Sequence, residues 1–455
     1  MKEITRRQFL LGLGAMAAAT FLTLVWDTPE GIPQEGPVSL TSPQPVDCDW
    51  VIEHVRIVDG TGSPAFKGKV AVKGDKIVAV GDFLSSPGAK TIDGKNQVLA
   101  PGFIDLHTHT ETYYYSGESM AAFLSQGVTT QVGGNCGRSP LDIAGFFRTS
   151  KGRSINYGLL VGYRALLELV QGVPRARKVT PTELGQMQEH LHKGLAAGAL
   201  GLSVGLEYWP QNFATTQDLM VLCEVVKEHG GFYATHIRSE YDKVLQAVEE
   251  TVEIGLKSGV AVQYSHIKAG YPQNWPKFAS VLDMLEEANK SGLDIRADVY
   301  PYTFSGNDIG TKPLRHSVSQ ENLEAALIHP HVFYASDSGL YQGGRATHPR
   351  SYGAYPRFLG YFVRERGLLP LEKAVAKMTY EPARRLKLKD RGLISPGYKA
   401  DLVLFDEQQI GDKATYEKPA VFSVGIDKVW VNGVLAWSDQ KITGSSSGQY
   451  LKLAN

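Results

Sequence analysis

From Trp50 onward the chain breaks into short apolar runs separated by glycine and polar turns. WVIEHVRIVDG, KVAVKG and KIVAVG are β-branched runs interrupted at Gly60, Gly74 and Gly81, the texture of short strands. ADLVLFD and KVWVNGVLAW repeat that texture near the C-terminus. The simplest arrangement is one small β-sandwich domain built from both ends of the chain, residues 48–100 and 391–440. Residues 101–390 read differently, alternating short buried runs with helix-period stretches such as TTQDLMVLCEVVKEHG and YDKVLQAVEETVEIGLKSG. The buried runs are GFIDLHTH, TTQVGGNC, INYGLLVG, ALGLSVG, GFYATHIR, VAVQYSHIK, DIRADVY and HVFYASDSG. Eight such alternations predict an α/β fold, a (β/α)8 TIM barrel whose chemistry sits at the C-terminal strand ends.

The first 26 residues have another pattern. Arg6-Arg7 is followed by Phe-Leu, and Phe9 to Trp26 holds no charged residue. This looks like a twin-arginine export signal. It is long for such a signal and reaches the lower limit of a spanning helix, about 17–25 residues. The expectation is therefore an exported protein, periplasmic or extracellular, with the segment either cleaved or kept as a membrane anchor. No other stretch is long and apolar enough to span a bilayer. Residues 27–47, with Pro29, Pro33, Pro37, Pro43 and Pro45, read as a linker, and residues 441–455 as a polar tail.

Composition narrows the picture. Hydrophobic residues make up 43% of the 455, and Lys+Arg balances Asp+Glu at 47 each. The first figure supports a large core. The second removes the basic excess that a nucleic-acid binder normally needs. Three cysteines exclude a disulfide scaffold and leave at least one thiol unpaired within the chain. Cys48 lies by the linker and Cys223 on an expected barrel helix, so no bond between them is predicted.

The strand ends carry the candidate chemistry. The first ends in His107-Thr108-His109, the second in Cys136, the fifth in His236, the sixth in His266 and the eighth in Asp337. Residues two apart on a strand point the same way, so His107 and His109 can face one ion. Any one of these has a bland reading: structural histidine, inert core thiol or turn aspartate. Five strands of one barrel all ending in ligand types argue for a metal centre. Imidazole, thiolate and carboxylate together favour zinc; iron, cobalt or manganese could substitute. One or two ions fit, with His107 and His109 on one side, His236 and His266 on the other, and Cys136 between. Zinc lowers the pKa of a water it holds toward about 7, and Asp337 beside that water is the expected general base and later general acid.

In this order and frame the ligands resemble the amidohydrolase superfamily. VLAPGFIDLHTHTE is similar to its first-strand signature, and GLISPGYKADLVLFD with GIDKVWVNG to its C-terminal β-half. GVTTQVGGNCG, ATHIRSE, YSHIK, ADVYPYT, ASDSG and HPRSYGAYPRFLGYF resemble the D-aminoacylase group, the N-acyl-D-amino-acid deacylases. The resemblance runs from about Asp49 to Asn432. It implies zinc-dependent cleavage of the amide bond of an N-acyl-D-amino acid or a D-residue-containing dipeptide, a small-molecule or short-peptide substrate, with Lys268, Tyr300 and Arg350 gripping its carboxylate. Stereochemistry rests on the resemblance alone. Glu111 and Arg238 flank ligands and are expected to support them. Two departures stand out: Tyr163 follows Gly162 where the family commonly has histidine, and only residues 301–336 separate strands seven and eight, which predicts a smaller lid. The rival readings are a cyclic-amide hydrolase, which usually needs a bridging lysine that strand four lacks, and a non-catalytic periplasmic metal- or ligand-binding protein.

Overall fold

The computed structural model describes residues 45–111, 117–149, 153–340 and 345–453. The export signal and nearly all of the linker lie outside them. Strands β1 (Trp50–Ile57), β2 (Phe66–Lys73), β3 (Lys76–Gly81), β4 (Lys90–Asp93) and β5 (Val98–Pro101) form the N-terminal half of the β-domain. A bulge in β1 at Glu53–His54, with His54 at φ 53°, lets Ile52, Val55 and Ile57 share one face. They pack with Val70, Val72, Ile77, Leu99, Leu402, Leu404 and Trp430. Val51, Ala71, Ala79 and Phe83 form a second cluster with Cys48, which is therefore buried in the β-domain.

The barrel follows. Its strands are β6 (Phe103–Asp105) continued by β7 (Thr108–His109), then β8 (Val128–Gly133), β9 (Asn156–Leu159) continued by β10 (Val161–Gly162), and β11 (Gly201–Gly205). After them come β12 (Phe232–His236), β13 (Ala261–Tyr264), β14 (Ile295–Val299), and β15 (Val332–Tyr334) continued by β16 (Ser338–Gly339). These are the eight expected strands, and their pairings are parallel. Because helices cover the outside, β8, β11 and β12 are buried at every position, which is why they read as continuous apolar runs. The helices Pro181–Ala196 and Thr216–Glu228 open on capping boxes, Thr180 with Glu183 and Thr215 with Asp218. The ring closes where β16 pairs with β7, Ser338 opposite Thr108 and Gly339 opposite His109.

The chain then returns to the β-domain with β17 (Leu402–Phe405), β18 (Ile426–Val431), β19 (Val434–Ser438) and β20 (Lys441–Ile442). β17 pairs antiparallel with β5, so both ends of the chain join in one nine-stranded sheet, as the shared texture predicts. Residues 441–453 differ from the tail expected of them. β20 pairs with β19, and beyond it the Tyr157 N–H donates to Gln449 O at 2.9 Å while Leu451 N–H donates to Tyr157 O at 2.9 Å. The segment is polar because it meets buried polar partners, Asn156 and Arg391 among them, rather than because it is free. Among the described residues no helix is long and apolar enough to cross a membrane.

Candidate metal centre

Barrel closure brings the first and last strand ends together. His107 Nε2 lies 3.5 Å and His109 Nε2 3.3 Å from Asp337 Oδ1. Cys136 Sγ is 3.5 Å from His107 Nε2 and 3.8 Å from His266 Nε2, and His236 Nδ1 is 2.9 Å from His266 Nε2. All six predicted ligands thus converge, with Cys136 between the two histidine pairs. Zinc bonds of about 2.0–2.3 Å at tetrahedral angles would set such atoms roughly 3.3–3.6 Å apart. Among the described residues, three groups have ligand atoms all within 4.8 Å of one another: His107–His109–Asp337, His107–Cys136–His266 and His236–Glu240–His266.

Local backbone geometry aims the ligands. Cys136, His266 and Asp337 have φ of 52°, 37° and 49°, a left-handed region costly for non-glycine residues. Each lies just past its strand, where the turn brings the side chain to the other candidate ligands. Surrounding bonds hold those turns: Gln211 donates to Cys136 O at 3.0 Å, and His266 N–H donates to Asp298 Oδ1 at 2.8 Å.

Behind three of the histidines stand carboxylates that no strand-end rule singles out. His107 Nδ1 lies 3.1 Å from Asp298 Oδ1, His266 Nδ1 2.8 Å from Glu240 Oε1, and His236 Nε2 3.2 Å from Glu207 Oε2. A carboxylate at the far nitrogen fixes the tautomer and raises ligand basicity. Asp298 and Glu240 sit in ADVYPYT and ATHIRSE, two positions short of Tyr300 and four past His236. That spacing to known strand ends is the signal that could have found them. Asp105, which accepts from Ser336 N–H and His107 N–H, is pushed up to about 7 by burial, against the pull of those bonds.

The charges favour a cation. Burial alone would raise the Cys136 thiol, but His107 and His109 outweigh it and hold it well below its ordinary value. Burial would also raise Asp337, but Arg350 and His107 hold its carboxyl well below the usual range. Burial would lower His236, yet Glu240 and Cys136 lift it to about 10. Imidazoles held so strongly toward the charged form report surplus negative charge: Cys136, Asp298, Asp337, Glu207 and Glu240 stand against Lys268 and Arg350. A divalent ion would balance that surplus.

The three residues expected at the substrate carboxylate are also together. Lys268 Nζ and the Arg350 guanidinium lie 5.6 and 4.9 Å from the centre of the Tyr300 ring. Arg350 Nη1 is 2.7 Å from Asp337 Oδ2, a contact not foreseen from sequence. The Tyr300 hydroxyl and Arg350 Nε are buried with no hydrogen-bond partner. His348 steadies Arg350: its Nδ1 accepts the Arg350 N–H at 3.1 Å while Nε2 sits 3.0 Å from Phe304 O. Glu111 accepts from Gly134 N–H at 3.2 Å, beside the Cys136 turn. Arg238 instead faces the loop after β11, donating to Glu250, Asn212 O and Ala214 O. It supports that loop rather than a ligand. Tyr163 is buried at the start of a helix, and β11 carries no lysine.

Residues 283–436 match a family model described as "Amidohydrolase family". D-aminoacylase of Alcaligenes xylosoxydans xylosoxydans is 31% identical over 91% of this chain and 99% of its own length. N-acyl-D-aspartate deacylase of the same organism is 33% identical over 90% and 95%. The crystal structure of N-acyl-D-glutamate deacylase from Bordetella bronchiseptica, complexed with zinc and a phosphonate inhibitor, superposes with a TM-score of 0.83. It is 30% identical and covers 90% of this chain and all of that one. With these likenesses spanning barrel and β-domain alike, the chain belongs to the D-aminoacylase family of amidohydrolases.

Proposed function

We propose that this protein is a zinc-dependent hydrolase of the amide bond in N-acyl-D-amino acids. The observation that carries the reading is adjacency: a six-ligand cluster touches, through Asp337 and Arg350, a buried grip with unpaired donors. Tyr300 and Arg350 offer N–H and O–H groups that a carboxylate can accept, and Lys268 adds charge. An N-acyl amino acid presents that carboxylate one carbon from its amide nitrogen. The relatives' names, D-aminoacylase and N-acyl-D-aspartate and N-acyl-D-glutamate deacylase, support the same bond and the D configuration.

His107, His109, Cys136, His236, His266 and Asp337 would hold the metal. Zinc, when bound, supplies Lewis acidity toward the carbonyl and lowers the pKa of water. Lys268, Tyr300 and Arg350 bind and orient the carboxylate, so that the amide carbon is presented to the ligand cluster. Asp337, held ionised by Arg350 and the histidines, takes the proton of the attacking water at its carboxylate. It then returns that proton to the departing amine nitrogen. Arg350 keeps Asp337 aligned through both transfers. A cyclic-amide hydrolase is disfavoured because β11 offers no bridging lysine and Cys136 occupies the centre.

The test is a panel of N-acyl-D-amino acids, their L-enantiomers and cyclic amides, assayed with and without a chelator. Amine release confined to the D-series and abolished by chelation is expected. Ring opening without amine release would overturn the reading. Export by the twin-arginine route is proposed on Arg6-Arg7 and the uncharged run behind them. Replacing both arginines by lysine should leave active enzyme in the cytosolic fraction; unchanged export would sink it.

A further inference from the structure

Glu240 is buried and belongs neither to the six ligands nor to the carboxylate grip. One of its oxygens nevertheless touches both. Oε1 lies 2.8 Å from His266 Nδ1, 2.6 Å from Lys268 Nζ and 4.0 Å from His236 Nδ1, and Lys268 Nζ itself lies 3.0 Å from His266 Nδ1, so a proton placed on Nδ1 turns Lys268 away from the imidazole. His266 turns its other nitrogen, Nε2, toward Cys136 and His236, the metal side. Glu240 is thus the carboxylate behind a metal histidine and, at the same atom, the counter-ion of a buried lysine. Lys268 cannot be left alone there, because an unpaired buried charge is strongly destabilising.

We propose that Glu240 is a positioning residue that couples metal binding to binding of the substrate carboxylate. An ion on His266 Nε2 makes the Nδ1–H a stronger donor and draws Oε1 toward it. Lys268 is then freer to donate to an arriving carboxylate. Conversely, a carboxylate on Lys268 releases Oε1 to His266 and strengthens that imidazole as a ligand. Each event favours the other, and linkage makes the coupling reciprocal. The inference rests on the proposed role of Lys268 in the substrate grip.

The experiment measures zinc affinity by chelator competition on the full chain, with D-leucine or D-leucinamide as probe. Wild type should bind zinc at least about fivefold more tightly with D-leucine, and no more tightly with D-leucinamide, which lacks the carboxylate. Glu240→Gln should weaken zinc about 10- to 100-fold and erase the D-leucine effect. The double variant Glu240→Gln/Lys268→Met leaves no unpaired buried charge, so it keeps the test open if the single variant folds poorly. It should bind zinc as weakly as the single variant. Zinc binding within twofold of wild type in the double variant, or a D-leucine effect surviving in Glu240→Gln, would overturn the proposal. Loss of zinc in Glu240→Gln with no D-leucine effect in wild type would make Glu240 a support of His266 alone, and that also overturns it. A wild type that binds zinc but cleaves no N-acyl-D-amino acid overturns the proposed activity instead; the zinc affinities still decide the role of Glu240.

Discussion

At Asp337 two demands meet in one side chain. Its Oδ1 faces His107 and His109, while its Oδ2 pairs with Arg350. Asp337→Asn keeps the shape but cannot take a proton at neutral pH. It should lower kcat by about 10²- to 10⁴-fold while the protein still binds zinc; full activity would refute the general-base role. Arg350→Met tests the grip. KM for an N-acyl-D-amino acid should rise by about tenfold or more, as loss of a charge-assisted contact predicts, and the difference should vanish for the matching carboxamide. At this scale the six side chains that converge were legible because each sits at the end of a recognisable strand. Spacing to strand ends could have placed Asp298 and Glu240 near the site, but nothing in an isolated Asp or Glu tells which imidazole it will face. Only the packing of neighbouring strand ends decides that.

Among the elements, the turn into the helix Arg350–Arg357 illustrates how a loop is held. Burial, with Arg350 close by, drives His348 down to about 3. A histidine that stays neutral in the fold but takes a proton when unfolded contributes stability that is full above its ordinary value of 6.5. That stability is lost as pH falls from 6.5 toward 3. His348→Asn, which can still accept the Arg350 N–H, should flatten the dependence of Tm on pH across that window. An unchanged slope would exclude His348 as the cause. The C-terminal segment makes a second prediction. Removing residues 445–455 takes the Gln449 carbonyl and the Leu451 N–H from the Tyr157 backbone and takes Gln449 from Arg391. Unmet buried groups cost about 1–3 kcal/mol each, so Tm should fall by roughly 5 °C or more. A Tm equal to that of the full chain would show that the contacts carry no stability. Its polarity reads as a tail because sequence pattern registers solvent and buried polar partners alike.

For the whole molecule, a metal held by the proposed ligand cluster would be tied to folding. Its candidate ligands come from the link between β6 and β7, from the end of β7, from the turns after β8 and β13, from the end of β12, and from the turn before β16. An ion held there clamps both edges of the ring closure. Chelation should therefore abolish turnover and lower Tm, and zinc at about 100 times its Kd should restore about 2.7 kcal/mol. Restored Tm without restored turnover would separate the structural from the chemical role. The eight-strand alternation, the shared texture of the two chain ends and the ligand types at five strand ends were determined by sequence alone. Local periodicity and strand length encode them directly. The tertiary structure decided what depends on distance across the ring: Asp337 against Arg350, Cys136 between two histidine pairs, and one oxygen of Glu240 serving His266 and Lys268. Those contacts arise from barrel closure and from the left-handed turns at Cys136, His266 and Asp337. Neither is local in the chain, because strain at a turn persists only where the surrounding fold holds it.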